Sequence, residues 1–236
     1  VFDFNRANFS ATPLSTAINN LIEAAEPPEE SVRQYLGAST IGGECLRKIQ
    51  FDWVCDPAHP TRTRDIFARG HLFEEVSRQH LIRAGFTFAP VDRLGFAAAN
   101  GLFRGHADGI LVDGPKLPGM GYPCVWEHKA LAAKGWRAIE RDGFLKAYPQ
   151  YAAPIWLYQV YLAVTEHAAL FTVTNADTCE RLHLLLPFDP ARAQEASDRA
   201  VTVIEATRVG ELLPRVTDDA GDWRCKICGH RERCWT

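Results

Sequence analysis

Leu14, Ile18, Leu21 and Ile22 recur at helical spacing and predict a first helix, with Pro27 and Pro28 as its break. Ser39 or Thr40 is placed to cap a second helix that starts around Gly43, carries Cys45, Ile49, Phe51 and Trp53, and ends at Pro57 and Pro60. A third runs from about Asp65 to Ala84 through RGHLFEEVSRQHL, with Gly85 in the place of a C-terminal cap. From Phe86 the period changes. FTFAPV, GLFRGHADGILV and CVWEHKALA are short apolar and β-branched runs that predict strands, and the glycine- and proline-rich DGPKLPGMGYP between the last two predicts a turn. A helix around Trp136 to Arg141 precedes a more apolar one, roughly Tyr148 to Thr165, expected to be largely buried. ALFTVTNA and CERLHLLLPF predict strands that meet near Asp177, and Pro190 opens a long helix to about Val209. The economical architecture is α/β, a mixed sheet flanked by helices, with no internal repeat and no clean linker.

At 236 residues the chain suffices for one large domain or a domain with an appended lobe. A formal net charge of −3 excludes a generally basic nucleic-acid coat but leaves room for a local positive groove. The distribution of charge says more than the total. Arg47 and Lys48 follow Cys45, and Arg224, Lys226, Arg231 and Arg233 surround the terminal cysteines. A charge run is ordinarily a solvated surface, so only a convergence of the two ends turns these into a positive lobe.

Cysteine spacing supplies the sharpest chemical signal. The closing WRCKICGHRERCW places Cys225, Cys228 and Cys234 as C-x2-C-x5-C, and Cys45 near the other end of the chain is the candidate fourth thiolate. Four thiolates suit an iron–sulfur cluster or a structural zinc, and His230 is placed to replace a cysteine in the zinc case. Because the ligands are so far apart, the group would clasp the chain ends around the rest of the protein. Cys55, Cys124 and Cys179 stand alone in mixed apolar segments and read as small buried residues. The count of 7 cysteines, with no signal peptide and no transmembrane run, predicts a reducing, cytoplasmic setting with free thiols and no membrane.

The second signal is GHADGIL followed by VWEHK. Residues two apart on a strand share a face, so Glu127 and Lys129 project together while His128 points the other way. A hairpin across DGPKLPGMGYP sets Asp108 beside them. Two carboxylates and an ammonium then converge, a donor set suited to Mg²⁺ or Mn²⁺ and to hydrolysis of a phosphodiester, with Lys129 at the attacking water. Spaced acids and bases on an ordinary surface strand are common, so a single D…ExK is weak by itself.

Gly70-His71-Leu72-Phe73-Glu74, Asp108, Glu127-His128-Lys129 and Tyr158-Gln159, taken in order, resemble the motifs of the PD-(D/E)XK nuclease superfamily. With the four cysteines the chain is similar to RecB-like exonucleases that carry an iron–sulfur clasp, including CRISPR-associated adaptation exonucleases and related phage enzymes. The resemblance runs from Ser39 to the C-terminus, dividing an N-terminal helical extension (1–38) from a restriction-endonuclease-like domain (39–236). It implies a structural [4Fe-4S] cluster on Cys45, Cys225, Cys228 and Cys234, and a catalytic Mg²⁺ or Mn²⁺ held by Asp108, Glu127 and the His128 carbonyl. It also implies Lys129 at the nucleophile and Gln159 placing the substrate or that lysine. His71 matches the helix histidine of RecB-like members and Glu74 the helix acid of phage-like ones, which leaves their division of labour open. The family's tyrosine after the glutamine falls on Ala163, leaving Tyr158 or Tyr161 as its substitute.

The expectation is a metal-dependent DNA exonuclease acting on single strands or duplex ends. Arg47, Arg231 and Arg233 would hold the backbone, and Lys134 with Trp136 would contact an unstacked base, although a tryptophan at helical spacing is more often core. Two alternatives stay open: a DNA-end-binding subunit serving an integrase or helicase partner, and a zinc-clasped endonuclease.

Overall fold

The computed structural model describes residues 12–25, 33–55 and 61–236. The expected breaks at Pro27, Pro28, Pro57 and Pro60 lie outside them. Helix α1 (Pro13–Ala24) is capped by Thr12, whose hydroxyl accepts from the Ser15 N–H at 3.2 Å, and it buries none of its residues. Helix α2 (Leu46–Val54) starts later than the sequence suggests: Ser39 and Thr40 sit in a short 3₁₀ turn, and Cys45 is the N-cap, its thiol accepting from the Lys48 N–H at 3.4 Å. Helix α3 follows at Thr61–Arg83.

The run GLFRGHADGILV does not form one strand. It splits at Ala107-Asp108 into β4 (Phe103–His106) and β5 (Gly109–Asp113), which belong to different sheets. The first sheet has three strands in the order β1 (Leu36–Gly37), β4, β3 (Gly95–Ala98). The second has the order β2 (Thr87–Phe88), β5, β6 (Cys124–Leu131), β7 (Ala169–Asn175), β8 (Arg181–Leu186). It is mixed: β5 and β6 form the expected hairpin, β6 and β7 run parallel, and β7 and β8 are antiparallel. The predicted FTFAPV strand shortens to the two residues of β2, and β1 ties the segment before Ser39 into the first sheet.

Helices α4 (Ala133–Asp142), α5 (Phe144–Ala147), α6 (Pro149–Tyr161) and α7 (Pro190–Val209) complete the main core, with α6 and α7 packed together. Val125, Leu131, Phe171 and Val173 face Ile155, Leu157 and Val203 in it. The opposite face buries Leu81, Phe86, Cys124, Trp126 and Leu170 in a smaller cluster. Burying such side chains stabilises the fold by about 1.5–3 kcal/mol each. A polar seam also crosses that face, where the Trp126 indole donates to Thr172 Oγ1 at 2.9 Å and His128 Nε2 meets Thr174 Oγ1 at 2.9 Å. Ser77 on α3 reaches the same Thr174 hydroxyl at 3.3 Å, so it bolts α3 to the sheet.

After α7 the chain returns across α2. Gln50 donates to the Glu211 carbonyl at 2.7 Å and accepts from the Leu213 N–H at 3.1 Å, while Arg47 donates to the Leu213 carbonyl at 2.5 Å. Two short helices, α8 (Trp223–Lys226) and α9 (Arg231–Trp235), end the chain. Among the described residues, no helix is long and apolar enough to cross a membrane.

Candidate active site and cysteine lobe

The break between β4 and β5 makes the site. Where β5 stops pairing with β6, at Gly109 opposite Trp126, the next free amide on β6 is that of His128. Asp108 takes it, its Oδ2 accepting from the His128 N–H at 2.7 Å. The carboxylate thus substitutes for a strand and is fixed beside the Glu127–Lys129 face. Lys129 donates to Glu127 Oε1 at 2.8 Å and to the His128 carbonyl at 2.9 Å, and lies 4.0 Å from Asp108 Oδ2. Glu127 is buried, and its second oxygen, Oε2, has no partner among the described residues. A buried carboxylate oxygen left unpaired is costly unless something binds it.

Electrostatics agree with this geometry. Burial, then the neighbouring Asp108 charge, push Glu127 up to about 7 even though Lys129 pulls it down. Burial works against the Lys129 ammonium, but Glu127 and Asp108 outweigh it and hold the lysine charged. On α3, burial and the charge of Asp108 raise Glu74, and its Oε2 lies 3.6 Å from His71 Nδ1. His71 itself is exposed, so Glu74 is the better placed toward Asp108. The His128 ring points away from the site, as period-two alternation requires, and burial followed by the Lys129 charge pushes it down to about 3.

Helix α6 closes the floor. Burial and then the charges of Glu127 and Asp108 raise the Tyr158 phenol well above its ordinary value, so it stays neutral. Tyr161 is elsewhere: it stacks on Phe96 with ring centres 4.2 Å apart, and its hydroxyl meets Ser197. Burial raises the phenol of Tyr151, two turns before Tyr158 on α6, although the Lys129 charge pulls it down; its spacing from Tyr158 is the signal that sequence reasoning passed over. Gln159 is fully buried and donates to the His167 carbonyl at 3.1 Å, and its amide oxygen has no partner among the described residues.

A second centre lies at the chain ends. Cys45, Cys225, Cys228 and Cys234 all line one cavity of about 340 Å³. Its wall includes Pro149 and Gln150 at the start of α6, so the cysteine lobe abuts the helix that carries Tyr151 and Tyr158. Gly42 permits this approach, because a Cβ there would fall 2.0 Å from the Gln150 carbonyl oxygen. His230 also lines the cavity; its Nε2 is 2.8 Å from Asp52 Oδ1, tying the tail to α2. Arg224 pairs with Glu44 at 3.0 Å across the same seam.

Several expected positions differ. Trp136 is only 9% exposed and packs in the main core, because it lies on the buried face of α4 with Ile139; it cannot receive a base there. Arg47 is half-buried and its guanidinium serves the Leu213 carbonyl. Arg233 is exposed but rests over the Phe51 ring at 5.1 Å; Lys134 is exposed, and Arg231, also exposed, borders the cysteine cavity. Cys124 is buried as expected and Cys55 only partly, but Cys179 is exposed in the β7–β8 turn with φ of 64°.

No family model and no curated protein matches the chain. Among solved structures it is similar to an alkaline exonuclease (LHK-Exo) from Laribacter hongkongensis, at 15% identity over 76% of this chain and 90% of that one, with a TM-score of 0.52. The chain shares the fold of a nuclease. It also matches the structure of SSO0001 at 12% identity, over 97% of this chain and 98% of that one, with a TM-score of 0.49.

The raised Glu127 makes a testable prediction. A cation held by this carboxylate would compete with its proton, so Mn²⁺ affinity should rise with pH and fall by up to about tenfold per unit below 7. The sign for stability is opposite. The folded metal-free protein keeps a proton that the unfolded chain releases, so this group's contribution is full below the ordinary carboxylate range and is lost as pH rises through about 7. Mn²⁺ titration calorimetry at pH 6, 7 and 8 measures the first effect; identical affinities would contradict it.

Proposed function

We propose that the chain is a metal-dependent DNA exonuclease with Asp108, Glu127 and Lys129 at its centre. The observation that carries this is the convergence of the three groups at the β4–β5 break, with Glu127 Oε2 buried and unpaired. Asp108 and Glu127 would hold Mg²⁺ or Mn²⁺, with the His128 carbonyl and Glu74 as further oxygens and His71 beyond them. Such a cation neutralises the charge that develops on the phosphate. Lys129 would orient the attacking water, and the neutral Tyr158 hydroxyl would donate toward the acids or the substrate. Gln159 acts indirectly, by setting α6 against the loop before β7. The fold shared with an alkaline exonuclease supports a nuclease reading.

The cavity shared by Cys45, Cys225, Cys228 and Cys234 supports a [4Fe-4S] cluster in a structural role, and a cluster of that kind supplies cross-links between distant segments. These residues would hold the Gly42 loop and the start of α6 in place. Exposed Lys134, Arg231 and Arg233 would hold the phosphate backbone.

The test is cleavage of end-labelled linear DNA, single- and double-stranded, against covalently closed circles, with Mg²⁺ or Mn²⁺. The expected result is degradation of linear DNA and sparing of closed circles. Discrete cuts in closed circles would favour the zinc-clasped endonuclease, and no cleavage of any DNA would overturn the assignment. A second reading, a processing subunit for an integrase or helicase, is favoured by the exposed Leu14 and Leu21 on α1 and Leu72 on α3. Activity that appears only with a partner would support it.

A further inference from the structure

The first sheet has an outer face that no helix among the described residues covers. Strand alternation turns Arg104 and His106 of β4 outward, with Gly95 and Ala97 of β3, while Phe103, Phe96 and Ala98 turn toward the core. On the neighbouring β1, Gly37 pairs with Arg104. The Arg33 side chain lies over it: a Cβ on Gly37 would fall 2.6 Å from the Arg33 guanidinium. Both arginines rest on one aromatic ring, Arg33 at 5.3 Å and Arg104 at 5.0 Å from the Tyr35 centroid. Two exposed guanidiniums are thereby held close together above a floor of glycine and alanine.

Like charges gathered in this way repel, and neither guanidinium is paired with a carboxylate among the described residues; Arg104 donates only to the Gly101 carbonyl, at 2.9 Å. Cation–π contact with Tyr35 holds each in place and leaves most of its donors free. Planar guanidiniums with free donors match phosphate oxygens.

The position relative to the active site follows from β4. Arg104 lies four residues before Asp108, with the break between β4 and β5 between them, so at most about 13 Å separates the two backbone positions. On the inner side, a Cβ on Gly105 would meet Tyr158 at 2.8 Å, which places this strand against the tyrosine whose phenol feels the charges of Glu127 and Asp108. Arg33 acts electrostatically on that same phenol.

We propose that Arg33, Tyr35 and Arg104 form a phosphate-binding subsite that holds the nucleic-acid strand a short distance from the bond cleaved at Asp108. This rests on the nuclease reading above. The three are positioning residues; they act by fixing the backbone, and the glycine floor lets the strand lie close to the sheet.

The experiment uses Asp108→Ala protein without divalent metal, and fluorescein-labelled single-stranded oligo-dT measured by anisotropy at several salt concentrations. Arg33→Gln/Arg104→Gln should weaken binding about tenfold and reduce the salt slope by about 1.4, since each single-strand phosphate contact contributes about 0.7. Arg33→Lys/Arg104→Lys keeps both charges and should restore the slope. Neutral methylphosphonates placed singly along the oligonucleotide then locate the contact: one or two positions should weaken binding to the parent but not to the glutamine variant. An unchanged slope in a folded glutamine variant, failure of the lysine rescue, or the same methylphosphonate pattern in both proteins overturns the subsite while leaving the nuclease reading intact. No binding to the parent at any salt overturns both.

Discussion

Asp108→Ala, Glu127→Ala and Lys129→Ala should each lower DNA cleavage by about 10²- to 10³-fold or more, the loss typical when one preorganised charge is removed from a transition state. The reasons differ. Asp108 contributes twice, since its carboxylate is a candidate cation ligand and also accepts the His128 N–H that fixes the end of β6. Asp108→Asn separates the two: the amide oxygen can keep that hydrogen bond, so the fold should hold while cleavage is lost. Glu127→Gln removes the charge with little change in shape, and should abolish metal-induced thermal stabilisation. Lys129→Ala should leave Mn²⁺ binding measurable but stop turnover. Single-turnover cleavage of end-labelled DNA, read beside Mn²⁺ calorimetry, measures these losses; full metal-dependent cleavage by purified Lys129→Ala protein would remove the assignment.

The second large effect is expected at the cysteine lobe. Cys228→Ser should eliminate acid-labile sulfide and the broad visible absorption of anaerobically purified protein. It should also loosen the tail, but only as far as the polar ties allow. Gln50 holds Glu211 and Leu213 from α2 without any help from a cysteine, so limited proteolysis should cut beyond Leu213 and spare the chain before it. Stoichiometric zinc without sulfide in protein made anaerobically with ample iron would decide for the zinc alternative. Release of a fragment that extends well into α7 would show that the cysteines hold more of the fold than these ties imply.

The long periodic elements were legible in the sequence because local signals agreed with tertiary packing. Pro190 opens α7 and Gly210 caps it in the left-handed conformation, as turn and cap chemistry requires. Glu127 and Lys129 share a face because the period of a strand is two. The break at Ala107-Asp108 was not legible, because both halves of GLFRGHADGILV are apolar and alternating, and only tertiary pairing sends them to different sheets. β3 was missed for a related reason: its outward residues are Gly95 and Ala97, which carry no polar alternation. Trp136 illustrates the reverse error, where an aromatic residue near basic ones suggested a base contact but helical phase turned it into the core. The arginines over Tyr35 were invisible because Arg33, just before β1, and Arg104, on β4, are far apart in sequence.

The bolt at Ser77 has a mechanical consequence. Helix α3 fully buries only Ser77 and Leu81, both in its C-terminal half, and from Thr61 to Ser77 it forms a beam of about 24 Å at the usual rise per residue. Glu74 sits one turn from the fixed support, where a tilt of the beam hardly displaces it. Thr61 sits at the far end, where the same tilt sweeps several ångströms, and there the Glu23 carboxylate of α1 accepts from its N–H at 3.2 Å like a prop under a cantilever. The helix is thus held at both ends, and the acid near its root stays beside its firmest support.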